Sequence, residues 1–214
     1  TERYFGGLNG TAPKLFLQPP KPRVCSCYLN RSTEQVHLCV GAPGISHDSE
    51  DRYAMAVLDV AYGGGVSSRL FQEIRESRGL VYSIGSYFTS YREGGLFAVY
   101  AGTSSDTAGE VLRLVEAEEE RLRREGFSQE EIDRAKSQIR GSMLLGLEST
   151  STRMTRLGRL ELYFGRIVPV EEVLAGIDAV TLDDVHRLCA QVLDSGRHAI
   201  AAIGPFENPP DFSA

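Results

Sequence analysis

The sequence predicts a single α+β domain with a mostly antiparallel β-sheet backed by helices. Apolar, strand-forming segments occur in pairs separated by short polar turns, as in β-hairpins. Segments with helical spacing of apolar residues follow one another in runs, without the regular strand–helix alternation of a parallel sheet. The chain of 214 residues contains no internal repeat and no linker-like composition in its middle. One domain is therefore expected over residues 23–214.

Residues 1–22 are predicted to be an inter-domain linker. They are rich in glycine and proline and show neither strand nor helix periodicity. The chain begins with Thr1 instead of methionine, and no signal-peptide pattern follows. We therefore expect the chain to be part of a longer protein or a processed product.

Two β-hairpins and one closing strand are predicted. The first hairpin pairs Arg23–Leu29 with Gln35–Gly41 around a polar turn. The second pairs Leu80–Tyr91 with Gly95–Gly102. The apolar segment His198–Ile203 is expected to complete the sheet.

Helices are predicted where apolar residues recur every three or four positions. One start is marked by a capping box, in which Ser128 and Glu131 bond each other's backbone N–H groups. A short helix that ends before Gly79 is expected to be capped by Ser67 or Ser68. The predicted helical segments are approximately 51–62, 68–78, 107–125, 129–147, 152–164, 169–177 and 181–193.

Composition and charge exclude several classes of function. The chain is 42% hydrophobic and 24% charged, as is typical of soluble globular proteins. Its net charge of −6 argues against non-specific nucleic-acid binding, because phosphate neutralisation needs a basic surface. Four cysteines are too few for a disulfide framework at this length, which favours a reducing compartment. We expect a cytoplasmic location, or the mitochondrial matrix in a eukaryote.

The glycine run Gly63–Gly65 has two interpretations. Followed by Ser67 and Ser68, it could cradle a phosphate with backbone N–H groups, as a nucleotide-binding module does. The lysine and the second spaced glycine of a P-loop are missing, however. Termination of the preceding helix is therefore the preferred interpretation.

One face of the predicted first hairpin resembles a metal site. In that hairpin, Cys25 would lie opposite Cys39. Cys27 would then lie opposite His37 on the same face. Such ligands bind zinc, but consecutive ligands on a flat strand face rarely converge, and free cysteine is commonly buried. Packing is the preferred interpretation, and no metal site is predicted in this chain.

Both faces of the same hairpin carry few polar side chains, since Val36, Leu38 and Val40 alternate with His37 and Cys39. We expect helices to cover one face and a partner to cover the other.

The acidic run Glu116–Glu120 is predicted to be a solvated helix face. Pairs four residues apart, such as Glu120 with Arg124, would support it. Binding of basic peptides is the weaker alternative.

The segment 65–83, GVSSRLFQEIRESRGLVYS, resembles the signature of the second homologous domain of insulinase- and pitrilysin-type zinc peptidases, the family that includes mitochondrial processing peptidase and its bacterial homologues. Further matches occur in the right order, which makes the resemblance specific. They are Arg134-Ala135-Lys136, Met143-Leu144-Leu145, Arg159, Ile177-Asp178-Ala179-Val180 and Ala202-Ile203-Gly204-Pro205.

This resemblance implies one domain of a two-domain half-shell. The sister domain would carry the H-x-x-E-H zinc ligands, and a second homologous half-shell, identical or different, would complete a chamber for peptides. The whole would then be a zinc metalloendopeptidase, such as a processing peptidase. This chain would hold no zinc and would be inactive alone. A non-catalytic scaffold or substrate-binding subunit of the same family is the alternative.

Two residues match positions that the family's second domain contributes to the substrate cleft. By this resemblance, Arg75 binds the peptide backbone, and Tyr82 both binds substrate and donates to the oxyanion of the tetrahedral intermediate in trans. The residues taken alone indicate only a surface arginine and a half-buried strand tyrosine. Substrate binding by Arg75 and Tyr82 is therefore an expectation from the resemblance.

Overall fold

The computed structural model describes residues 2–7, 18, 20–194, 196 and 198–206. The rest of the predicted linker and the end of the chain lie outside these residues. The strands are β1 (Cys25–Asn30), β2 (Val36–Gly44), β3 (Val81–Ser90), β4 (Gly95–Thr103) and β5 (Ala199–Gly204). The helices are α1 (Glu2–Phe5), α2 (Arg52–Tyr62), α3 (Ala108–Glu125), α4 (Gln129–Gly146), α5 (Thr150–Phe164), α6 (Val170–Ala179) and α7 (Leu182–Val192), and a π-helical segment covers Phe71–Glu76.

The five strands form one sheet in the order β1-β5-β2-β4-β3. Its neighbouring pairs are antiparallel apart from β1 and β5, which run parallel. The predicted second hairpin is confirmed as β3 and β4, and the closing strand is confirmed as β5. The α+β fold with a mostly antiparallel sheet is therefore the one that the sequence predicts.

The predicted first hairpin is wrong, because β5 lies between β1 and β2. Cys25 pairs with Ala199, not with Cys39. Cys27 and Cys39 are both neighbours of Ala201 and are therefore two strand spacings apart, about 9–10 Å. The proposed face of metal ligands is thus divided by an intervening strand. The turn after β1 is polar in either arrangement, so the local sequence carries no signal for the inserted strand.

The core lies between one face of the sheet and the helices. On β2, Val36, Leu38 and Val40 are buried, and the prediction that helices cover this face is confirmed. The outward residues His37 and Cys39 are partly exposed. The outward face of the sheet is therefore the more open one, and its predicted cover by a partner stays a prediction.

Local signals at helix starts were accurate at α4 and wrong before the π-helical segment. Ser128 and Glu131 form the predicted capping box at α4. Thr181 and Asp184 form a second one at α7. The predicted serine cap is absent, because the Ser68 hydroxyl donates to the Gly65 carbonyl at 2.6 Å.

The acidic run in α3 is not a uniformly solvated face. Glu118 and Glu119 are only 7% and 2% exposed, which contradicts the prediction. Glu120 accepts from Arg123, and Arg124 donates to Glu125. The predicted pair of Glu120 with Arg124 therefore has no hydrogen bond, and Glu120 acts on Arg124 only electrostatically. The adjacent Glu118 and Glu119 both face inward, and their carboxylates have partners on other elements.

Among the described residues, no helix combines the length and apolar character needed to cross a membrane.

Candidate functional site

The glycine run at the end of α2 allows the helix to approach β3 closely. The Gly63 N–H bonds the Asp59 carbonyl and ends the helix. A Cβ at Gly63 would lie 2.2 Å from the Ser86 backbone nitrogen, so a larger residue does not fit. Ser86 also donates to the Asp59 carboxylate at 2.6 Å. These contacts agree with helix termination, the preferred interpretation of the glycine run.

The Arg69 side chain connects the segment 65–83 with two helices. Its Nη1 donates to Glu118 of α3 at 2.9 Å. Its Nη2 donates to Glu131 of α4 at 2.9 Å, and its Nε pairs with the same carboxylate. All three side chains are at most 17% exposed. Burial alone would raise the pKa of Glu131, but hydrogen bonds from Arg69 and Ser128 outweigh it and lower the pKa to about 2.

The contacts of Arg69 with α3 and α4 were not predicted from the sequence. The available signal was the capping-box glutamate, Glu131, which already served the helix start and has a second carboxylate oxygen to offer. The sequence does not show that Glu118 lies beside Arg69, because the two residues are 49 positions apart and meet only in the folded chain.

The π-helical segment separates buried from exposed side chains. Leu70 and Ile74 are buried, whereas Arg75 is exposed and its guanidinium carbon lies 4.9 Å above the centre of the Phe71 ring. Within the described part of the chain, no carboxylate forms an ion pair with Arg75. Its guanidinium donors therefore remain available to an external acceptor.

Gly79 turns the chain from the π-helical segment into β3. Its φ of 68° is in the left-handed region, which glycine adopts without a Cβ penalty. Its N–H bonds the Arg75 carbonyl at 3.0 Å, and the Leu80 N–H bonds the Ile74 carbonyl. Arg75 and Tyr82 thus lie on the two arms of one hydrogen-bonded turn.

A β-bulge lies at Tyr82, at the start of β3. Val81 pairs with Thr103 and Ser83 with the adjacent Gly102, so Tyr82 is an extra residue in the ladder. Val81 is buried, while Tyr82 is 68% exposed. Successive strand residues face opposite sides of the sheet, so Val81 packs in the core and Tyr82 is open to solvent on the outward side.

The outward face beside Tyr82 is lined by small residues and one polar pair. Ser83 lies next to Gly102 of β4, which in turn lies next to His37 of β2. The His37 Nδ1 and the Tyr100 hydroxyl are 2.8 Å apart. From the sequence, His37 was considered only as a metal ligand and as part of the first hairpin, and Tyr100 was not considered. It places two further hydrogen-bonding groups on the open face of the sheet.

A separate polar cluster lies inside the core. The Tyr62 hydroxyl donates to Glu119 at 3.3 Å, and the His198 Nε2 is 3.4 Å from the other carboxylate oxygen. Burial raises the pKa of Glu119 to about 8 and lowers the pKa of His198. With all three side chains at most 4% exposed, the cluster has no access to a substrate from solvent and bears on stability.

Among the described residues, no group of three or more histidine, cysteine, aspartate or glutamate side chains is arranged to hold a metal ion. The four cysteines are free thiols, and Cys189 is buried. The chemistry that these residues offer is hydrogen-bond donation by Arg75 and Tyr82 at an exposed turn.

This sheet, its helices and the exposed turn define a domain of the M16 peptidase type. The sequence profile of the peptidase M16 inactive domain matches residues 1–139, and the chain belongs to this family. The matched profile describes the inactive domain of the family.

Curated relatives agree with this assignment. An uncharacterized zinc protease of Streptomyces coelicolor is 43% identical over 84% of this chain and 39% of its own length. A second, from Bacillus subtilis, is 34% identical over 98% of this chain and 51% of its own length. The chain thus spans about half or less of these relatives.

Solved structures agree in fold. The crystal structure of a peptidase M16 inactive domain from Pseudomonas fluorescens aligns with 94% of this chain and 48% of that chain, at a TM-score of 0.82 and 26% identity. A protease from Helicobacter pylori aligns with 95% of this chain and 50% of its own, at a TM-score of 0.79 and 17% identity, and shows the fold alone.

Proposed function

We propose that this chain is the non-zinc domain of a zinc metalloendopeptidase and that it contributes Arg75 and Tyr82 to a peptide site whose zinc is bound by a sister domain. The observation that carries the proposal is the exposed turn in which Arg75 has no ion pair among the described residues and Tyr82, at a bulge of β3, is 68% exposed.

The family membership supports the rest of the proposed assembly. Relatives that are about twice as long as this chain bear the name zinc protease. Zinc in the sister domain would supply the activated water. A homologous half-shell, from the same or a different chain, would close the chamber around the peptide.

Each residue has a distinct chemical task in this proposal. The Tyr82 phenol donates a hydrogen bond to the oxyanion that forms on the scissile carbonyl, so its contribution grows in the transition state. Arg75, steadied by the Phe71 ring, donates to peptide carbonyls before and during the reaction. Its binding is therefore similar in both states.

The proposal is tested by kinetics of the assembled zinc enzyme. Tyr82→Phe should lower kcat by about 10²–10³ with little change in KM, as for loss of one oxyanion donor. Arg75→Ala should chiefly raise KM. Matched controls are Tyr87→Phe, an exposed tyrosine on the same strand, and Arg78→Ala, an exposed arginine three residues away.

Thermal melts separate catalysis from folding. Both test variants should have the same melting temperature as the wild-type enzyme, because neither side chain is buried. Wild-type kcat/KM in both variants, or equal losses in the two controls, would refute the proposal.

A further inference from the structure

At the far end of β3 from Tyr82, an open groove of about 880 Å³ lies between α5 and the start of α2. Its floor includes Phe88–Ser90, the last residues of β3. Its walls contain three arginines, Arg52, Arg156 and Arg159, but no aspartate or glutamate. In a chain with a net charge of −6, this is a concentrated positive site.

The three arginines are held without forming an ion pair among the described residues. Arg156 donates to the Val168 carbonyl at 2.6 Å. Arg52 lies over the Tyr53 ring at 4.4 Å. Arg159 is exposed, 5.9 Å from the centre of the Tyr163 ring. Their remaining N–H donors can each be used for a ligand oxygen.

One acidic side chain outside the groove, Glu172, acts electrostatically on Arg52. Arg166 holds both carboxylate oxygens of Glu172, at 2.6 and 2.9 Å. The groove itself is lined by arginines and by no carboxylate, so an anionic ligand is the complementary one.

The groove also offers apolar and hydroxyl surface. His47 lies against the rings of Tyr163 and Phe164, with ring centres 4.6 and 5.5 Å away. Ser151, Thr152 and Thr155 of α5 line the same wall. A ligand that combines carboxylates with apolar groups matches this mixture better than a small inorganic anion does.

The floor of the groove favours an extended peptide over other anions. β3 is the last strand in the order of the sheet, so one of its edges has no neighbouring strand in the part of the chain that the structure describes. An edge strand binds an extended chain through backbone hydrogen bonds, with alternate side chains directed into pockets. Arginines beside such an edge are positioned to take the acidic side chains.

We propose that this groove binds an extended acidic peptide segment, whose carboxylates pair with Arg52, Arg156 and Arg159 and whose backbone lies along the end of β3. The site is distinct from the turn that carries Arg75 and Tyr82. It binds by charge and needs neither zinc nor hydrolysis.

The test measures peptide binding to the full 214-residue chain by fluorescence anisotropy. The probe is a fluorescein-labelled peptide of alternating glutamate and leucine, and the matched probe has glutamine in place of each glutamate. The acidic peptide should bind at least about tenfold more tightly, since charge-assisted hydrogen bonds to guanidinium are the stronger kind. Added salt should weaken it.

Variants locate the binding site. Arg159→Gln should weaken binding of the acidic peptide about fivefold or more. The control Arg113→Gln, an exposed arginine of α3 outside the groove, should leave binding unchanged. Tyr82→Phe should also leave it unchanged, so failure of the proposed catalytic role and failure of this site are distinguishable.

Four outcomes would overturn the proposal. The first two are equal binding of the two peptides and equal weakening of binding by Arg159→Gln and Arg113→Gln. The third is displacement of the peptide by an equal concentration of inorganic phosphate. The fourth is self-association of the chain, seen in sedimentation, that Arg159→Gln abolishes. The last result would assign the groove to a second copy.

Discussion

Arg69 and Arg75 lie six residues apart in the same segment but have opposite surroundings. The Arg69 side chain is 17% exposed and bonds two carboxylates from different helices. Arg75 is exposed, rests on one aromatic ring and has no ion pair within the described residues. One short motif thus combines a largely buried arginine that bonds two helices with an exposed arginine that has no ion pair among the described residues.

Removing the Arg69 side chain is expected to have the largest effect on the free energy of unfolding. Arg69→Ala removes the guanidinium that Glu118 and Glu131 share, leaving Glu118 with Arg121 at 3.5 Å and Glu131 with Ser128. Loss of one member of a buried charged network costs about 3–5 kcal/mol. Arg75→Ala should change the free energy of unfolding by no more than about 0.5 kcal/mol. Urea denaturation of both variants checks the contrast, and similar losses in the two would contradict it.

The second prediction compares two glutamates that burial affects differently. Glu131 has an arginine partner and a pKa of about 2, whereas Glu119 lies in the core and has a pKa of about 8. Between its ordinary value of 4.5 and about 8, Glu119 keeps its proton only in the folded chain. The stability that it contributes is therefore complete below pH 4.5 and is lost as the pH rises through about 8.

Glu119→Gln imitates the protonated form and should remove this loss. Relative to the variant, the wild-type chain should lose a few kcal/mol of unfolding free energy over this pH range, since one pKa unit corresponds to about 1.4 kcal/mol. His198, with its pKa lowered by burial, contributes with the opposite slope below its ordinary value of 6.5 and is present in both chains. Parallel curves of the two proteins from urea titrations would contradict the assignment.

The third and smallest effect concerns the turn between Arg75 and Tyr82. Gly79→Ala introduces a Cβ that meets no atom within 4 Å, so only the left-handed backbone is penalised. The expected loss is about 1–2 kcal/mol. Gly109→Ala in α3 is a suitable control, because the added Cβ is equally free of contacts in a helix. A thermal melt of Gly79→Ala at or above that of the control would show that the turn is not strained.

Features that depend on neighbouring residues in the chain were predictable. The capping box of Ser128 with Glu131 and the hairpin of β3 with β4 each involve residues close in sequence. The position of β5 beside β1 depends on residues about 170 positions apart, and no local pattern encodes it. Glu119 was misjudged for the same reason, since its partners Tyr62 and His198 come from distant elements.

The candidate site divides in a similar way. Arg75 and Tyr82 were predicted through a motif, whereas the bulge at Tyr82 was not, because Tyr82 is polar-tipped and outward with or without the extra residue. Arg159 was noted only as one of the family matches. Its place in a basic groove depends on α5 lying across the end of β3.

The position of β5 also sets the order in which the sheet can be completed. β2 and β1 are made early in synthesis, but the strand that separates them is made last among the described elements. Until it arrives, β2 has an unpaired edge and β1 has no neighbour in the sheet. Pairing between such distant segments is slow, and unpaired edges promote aggregation. Pairing of β5 therefore completes the native sheet and ends the period in which the nascent chain exposes unpaired strand edges to aggregation.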